Sequence, residues 1–113
     1  MPSRLHLKIA LTDEVLLGPG KEQLLALIEK TGSISAAARA MGMSYRRAWL
    51  LVDELNRVFK SPVVTTAKGG RGGGGSAVLT PLGDMVMKRY RAILTKTEKA
   101  IAADVRALTA KLR

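Results

Sequence analysis

A chain of 113 residues fits one compact domain with a modest core and leaves little room for a separate ligand domain. Nineteen Lys and Arg against nine Asp and Glu give a formal charge of +10, which suits a polyanionic partner such as nucleic acid. The absence of cysteine excludes a disulfide framework and thiolate metal sites, and no apolar run approaches the roughly 20 residues that span a bilayer, so a cytoplasmic protein with no membrane partner is expected.

The charge is unevenly spread. Residues 1–38 hold four basic and four acidic side chains, a net of zero; residues 39–80 hold seven and two, a net of +5; residues 81–113 hold eight and three, again +5. Near the N-terminus, Leu5, Leu7 and Ile9 alternate with Arg4, His6 and Lys8, the period of a half-buried strand, and Val15 to Leu17 can return after a turn at residues 12–14. His6 is the one histidine of the chain and reads as a solvated strand residue, with no second His or Cys to share a metal. Gly18-Pro19-Gly20 reads as punctuation before a helix from about Lys21 to Thr31, which Gly32 closes; the Gly-Pro-Gly-Lys run lacks the length and the closing Lys-Ser/Thr pair of a phosphate loop.

From Gly32 to Arg57 the pattern is two short helices around a tight turn. Ser35 can cap the first, over Ala36 to Met41, and Gly42 ends it; Ser44 can cap the second, whose apolar residues Ala48, Leu51, Val52, Leu55 and Phe59 fall on one face. Helix, glycine-containing turn, helix is the layout of a helix-turn-helix, whose second helix enters the DNA major groove. Arg46 and Arg47 lie at the start of that helix, off its apolar stripe. The bland alternative is a helical hairpin with solvated arginines. Trp49 either covers the core, the favoured reading, or stacks on the sugar-phosphate backbone, while Ser44 and Tyr45 are expected to reach phosphate rather than base edges.

Ser61-Pro62 stops the second helix. Val63 to Ala67 and Ala77 to Leu79 read as two strands of a hairpin, and six of the seven residues from 69 to 75 at its tip are glycine, whose large backbone entropy predicts a mobile, basic wing. Lys68 and Arg71 in that tip are placed to touch phosphates or an adjacent minor groove. Thr80-Pro81 then starts a helix in which Leu82, Val86, Tyr90, Ile93, Thr97, Ile101, Val105, Leu108 and Leu112 recur three or four residues apart. A helix of about 30 residues spans roughly 45 Å, more than a core of this size can cover, so its apolar face calls for a second copy in a two-fold dimer. Tyr90, Ile93, Leu94, Ile101, Val105 and Leu108 are the residues expected at that dimerisation surface; the competing reading is an amphipathic helix on an anionic membrane.

Three stretches together carry a family resemblance. Residues 33–49, Ser-Ile-Ser-Ala-Ala-Ala-Arg-Ala-Met-Gly-Met-Ser-Tyr-Arg-Arg-Ala-Trp, then Pro62-Val-Val with the glycine-rich wing, then Leu79-Thr-Pro-Leu-Gly83, resemble the N-terminal DNA-binding domain of ModE-type molybdate-responsive regulators and, more distantly, the LysR-type winged helix-turn-helix. The resemblance implies a fold that is mainly α with a small β component, with a winged helix-turn-helix over residues 1–80, its wing at 62–80, and a long C-terminal dimerisation helix over 81–113 in the same compact unit. It implies a dimeric transcription factor reading a palindromic operator in double-stranded DNA near molybdenum-related genes. It places Ser44, Tyr45, Arg46, Arg47 and Trp49 at the groove-facing start of the recognition helix and Lys68 and Arg71 on the wing at the DNA, and Ser33 and Ser35 complete the residues expected to bind it. Full-length members carry a C-terminal molybdate-binding region, and this chain ends at Arg113 in a helix with no β-rich module after it. It therefore resembles the stand-alone one-domain members, with no cofactor expected and molybdate binding doubtful.

Two other function classes are weighed against sequence-specific regulation. A nucleoid-associated or RNA-binding protein would use the same charge without sequence readout. An enzyme is the weakest reading, because the nine carboxylates form no metal-like cluster and the lone His has no evident partner.

Overall fold

The computed structural model describes residues 5–67 and 76–113, in the order β1 (Ile9–Ala10), β2 (Leu16–Leu17), α1 (Pro19–Thr31), α2 (Ile34–Ala40), α3 (Tyr45–Val58), β3 (Val64–Ala67), β4 (Ser76–Leu79) and α4 (Pro81–Thr109). This is a mainly helical winged helix-turn-helix with two small antiparallel hairpins and a long C-terminal helix.

The first hairpin is shorter than the alternation predicts: only Ile9↔Leu17 and Ala10↔Leu16 pair. The alternation itself survives, with Leu5, Leu7 and Ile9 half-buried and His6, Lys8 and Ala10 exposed. The turn closes because Thr12 Oγ1 accepts from the Glu14 and Val15 amides at 3.2 and 3.0 Å. α1 begins at Pro19 rather than Lys21, since a proline ring preset near the helical φ is tolerated in a first turn whose N–H groups lack partners. It buries Leu24, Leu25 and Ile28 completely and ends on Gly32, whose φ of +70° is the left-handed conformation that glycine adopts without strain.

The cap of α2 is Ser33, not Ser35. Ser33 Oγ accepts from the Ala36 amide at 3.1 Å, and the helix starts at Ile34, which is buried; Ser35 is an exposed first-turn residue. Gly42, with φ +67°, stops the helix as expected: its own N–H donates to the Arg39 carbonyl and that of Met43 to the Ala38 carbonyl, the paired bonds of a Schellman motif. Ala37 and Ala38 are buried with almost no exposure, so the small side chains do let α2 press closely on its neighbours.

α3 is capped by Ser44, which accepts from the Arg47 amide at 3.1 Å, and it buries Ala48, Val52 and Leu55. It ends at Val58, three residues before the Ser61-Pro62 stop. The wing hairpin pairs Val64↔Leu79 through Ala67↔Ser76. The Ala77 amide donates to the Gly32 carbonyl at 2.8 Å, which ties β4 to the start of the helix-turn-helix.

α4 carries the core on with Val86, Met87 and Tyr90 and then runs past it. Its 29 residues are about 43 Å long at 1.5 Å per residue, and the described chain measures 57 Å along its longest axis against 22 Å along its shortest. One member of the expected dimerisation surface lies elsewhere. Tyr90 is 1% exposed within this chain's own core and donates its hydroxyl to the Leu7 carbonyl at 2.6 Å; burial, helped by the Glu22 carboxylate, pushes its phenol above the ordinary tyrosine range. The apolar stripe of a helix has the same period whether it faces a core or a second chain, and at Tyr90 the core is the partner.

Candidate nucleic-acid interface

The helix-turn-helix leaves the N-terminal half of α3 open to solvent. Ser44, Tyr45, Arg46, Arg47, Trp49 and Leu50 are all exposed, while Ala48 between them anchors the helix in the core. Among the described residues neither Arg46 nor Arg47 pairs with a carboxylate; the four ion pairs found there are Lys21–Glu54, Arg57–Asp53, Lys88–Asp84 and Arg91–Glu22. Two guanidinium groups standing free on one helix end can each take a phosphate or the acceptor edge of guanine.

Trp49 corrects an expectation. It is 45% exposed and outside the core, because Ala48, Val52 and Leu55 already fill the inner side of α3. Its indole shares the outer surface with the arginines. Ser33 and Ser44 stand at the N-termini of α2 and α3, where their hydroxyl oxygens are engaged as caps, and Ser35 projects from the first turn of α2. The wing residues Lys68 and Arg71 lie outside the described residues, as does the expected mobile glycine tip. On α4, Ile93, Val105 and Leu108 are 42%, 41% and 71% exposed, Ile101 is half-buried, and Leu94 is half-buried against the core.

A residue that sequence reasoning missed holds the parts in register. Asn56, on α3, accepts from the Val63 and Val64 amides at 2.8 and 3.2 Å and donates to the Val64 carbonyl at 3.0 Å. The opposite side of the same segment holds α4: the Val63 carbonyl accepts from the Thr80 amide at 3.0 Å, Thr80 Oγ1 donates to the Pro62 carbonyl at 2.7 Å and accepts from the Gly83 amide at 3.0 Å. One continuous chain of hydrogen bonds thus joins α3, the wing root and the start of α4. Asn56→Ala strands two part-buried amides and a carbonyl and is expected to cost about 2 kcal/mol in chemical denaturation. Asn56→Asp keeps the acceptor but turns an oxygen onto the Val64 carbonyl, so it is expected to destabilise as well; no loss in Asn56→Ala would mean that the Asn56 amide does not make these bonds.

No family model matches the chain. Individual relatives do. It is 46% identical over 92 residues to the molybdenum-pterin-binding protein MopB of Rhodobacter capsulatus, covering 81% of this chain and 34% of that protein. It is 35% identical over 100 residues to the DNA-binding transcriptional dual regulator ModE of Escherichia coli K12, covering 88% of this chain and 38% of the regulator.

The chain is a domain of the ModE type.

A further ModE-type relative, the molybdenum transport protein ModE of Azotobacter vinelandii, is 38% identical over 79 residues, which is 70% of this chain and 29% of that protein. The ModE-type chain described here spans about a third of the length of the curated relatives it matches. The expectation of no cofactor, with molybdate binding doubtful, is overturned by these proteins. It rested on the chain stopping at Arg113, whereas relatives that match most of this ModE-type chain carry molybdenum in their very names. Among the described residues no helix is long and apolar enough to cross a membrane.

Proposed function

We propose that this ModE-type chain is the DNA-reading part of a cytoplasmic, molybdate-responsive transcriptional regulator that binds a palindromic operator as a two-fold dimer. The observation that carries the proposal is the exposed start of α3, with Arg46 and Arg47 free of carboxylate partners on a helix whose other face is locked in the core. Basic side chains there release counterions from DNA phosphates, and a guanidinium in the major groove can pair bidentately with guanine. The names of the relatives supply the link to molybdenum and to transcription.

The dimer reading rests on α4, where Ile93 and, beyond the core, Val105 and Leu108 stand exposed. A second copy of the helix would cover them, and the hydrogen-bonded chain from α4 through Val63 to Asn56 would carry the spacing of the dimer to the two recognition helices.

Selection from a random-sequence duplex pool tests the whole proposal. The expected site holds two inverted half-sites whose centres lie one helical turn, about 34–36 Å, or a multiple of it apart. Single, unpaired half-sites would remove the dimer from the account. A reporter driven from the selected site should change its output when molybdate is added to the cells, and a flat response would sink the effector assignment.

A further inference from the structure

The outer surface of α3 holds a large apolar side chain that is not part of the core. Leu50 is 46% exposed in a helix whose inner side has its own complement of Ala48, Val52 and Leu55. It stands four residues after Arg46 and one after Trp49, and three before Asp53, whose carboxylate is drawn to Arg57 at 3.0 Å. Arg46, Trp49, Leu50 and Asp53 thus follow the i, i+3, i+4, i+7 spacing with which recognition helices present side chains to base edges. An isobutyl group on this stripe can make no hydrogen bond to a base or a phosphate. The apolar feature that a major groove offers to such a group is the C5-methyl of thymine. The positive charge beside it, from Arg46 and Arg47, fits a polyanion better than an apolar protein groove.

We infer that Leu50 is a specificity-determining residue that reads a thymine methyl group in each half-site, beside the base pair met by Arg46. This rests on the proposal that α3 enters the major groove and deepens it. Arg46 supplies polar readout, and Leu50 supplies the apolar contact with the thymine methyl group that a guanidinium does not make.

The test removes the methyl group and nothing else. Each thymine of the selected operator is replaced in turn by deoxyuridine, and affinity is measured for the wild-type chain and for Leu50→Ala. Removing one buried methyl group should weaken wild-type binding about fourfold at one symmetry-related thymine pair position, when a single half-site is altered. Leu50→Ala should bind the thymine and deoxyuridine operators equally while still preferring operator to unrelated duplex. Because Leu50 lies on the surface, the variant should keep the wild-type circular dichroism and melting temperature. The inference is overturned if no deoxyuridine substitution weakens wild-type binding, or if Leu50→Ala retains the wild-type sensitivity. It is also overturned if Leu50→Ala binds every duplex as the wild type does, which would leave the side chain to a protein partner. Failure of the wild-type chain to prefer any duplex would instead bring down the parent proposal, and with it this one.

Discussion

Gly83→Ala is expected to loosen the junction between α4 and the wing, lowering stability by about 3 kcal/mol and the melting temperature by more than about 10 °C. Gly83 is buried in the first turn of α4, where a Cβ would run into the Val63 carbonyl oxygen and stand 3.0 Å from its carbon. These are backbone atoms, held by Asn56 from one side and by the Thr80 amide from the other, so they cannot swing away as the end of a long side chain would. Two effects compete in this substitution. Alanine is the better helix former by about 1 kcal/mol in a helix interior, and by less in a first turn. The steric cost of forcing two backbones apart exceeds that gain, so the net sign is destabilising. A melting temperature equal to or above that of the wild type would mean that α4 does not sit this close to the backbone of Val63.

The second large effect is expected at the arginines. Arg46→Ala and Arg47→Ala should each cost about 1–3 kcal/mol on the selected operator, a loss of roughly 5- to 150-fold in affinity. Their positions on α3 predict different signatures. Arg46 shares the outward stripe with Trp49, Leu50 and Asp53, whereas Arg47 is a further 100° around the helix and beside it. Removing Arg46 should therefore relax the sequence preference at one base pair. Removing Arg47 should weaken all duplexes alike and reduce the salt slope of log affinity by about one. As adjacent residues on one surface they are not expected to act additively, so the double variant should lose less than the sum. If operator affinity is untouched by both changes, α3 is not the recognition helix.

Much of this architecture was legible in the chain because local rules act over a few residues. Ser44 and Thr80-Pro81 mark the starts of α3 and α4, and Gly32 and Gly42 mark helix ends, in each case through a cap or a backbone conformation that few residues can supply. What escaped reading was decided by tertiary partners. Ser33 and Ser35 are equally good caps in isolation, and burial of Ile34 selects the earlier one. Tyr90 repeats in phase with the exposed residues beyond it, and its burial and its bond to the Leu7 carbonyl show that it belongs to the core. Trp49 looked like a core residue by size, yet the inner side of α3 is filled by smaller neighbours. Asn56 gave no signal, since a lone amide late in an amphipathic helix resembles any surface residue until the loop that it clamps is seen. The spacing that puts Leu51 and Val52 on the apolar face leaves Leu50 off it, but spacing does not show how far an apolar side chain stands out to solvent.

The central claim is that the open end of α3 reads base sequence rather than charge alone. Its most direct test is the ratio of affinities for the selected operator and for an unrelated duplex of equal length, measured at the same salt concentration with single-stranded RNA as a third competitor. The account predicts a ratio of about a thousand or more in favour of the operator, with RNA bound no better than the unrelated duplex. A ratio near one across all three would contradict it and leave a basic protein that binds nucleic acid without reading it.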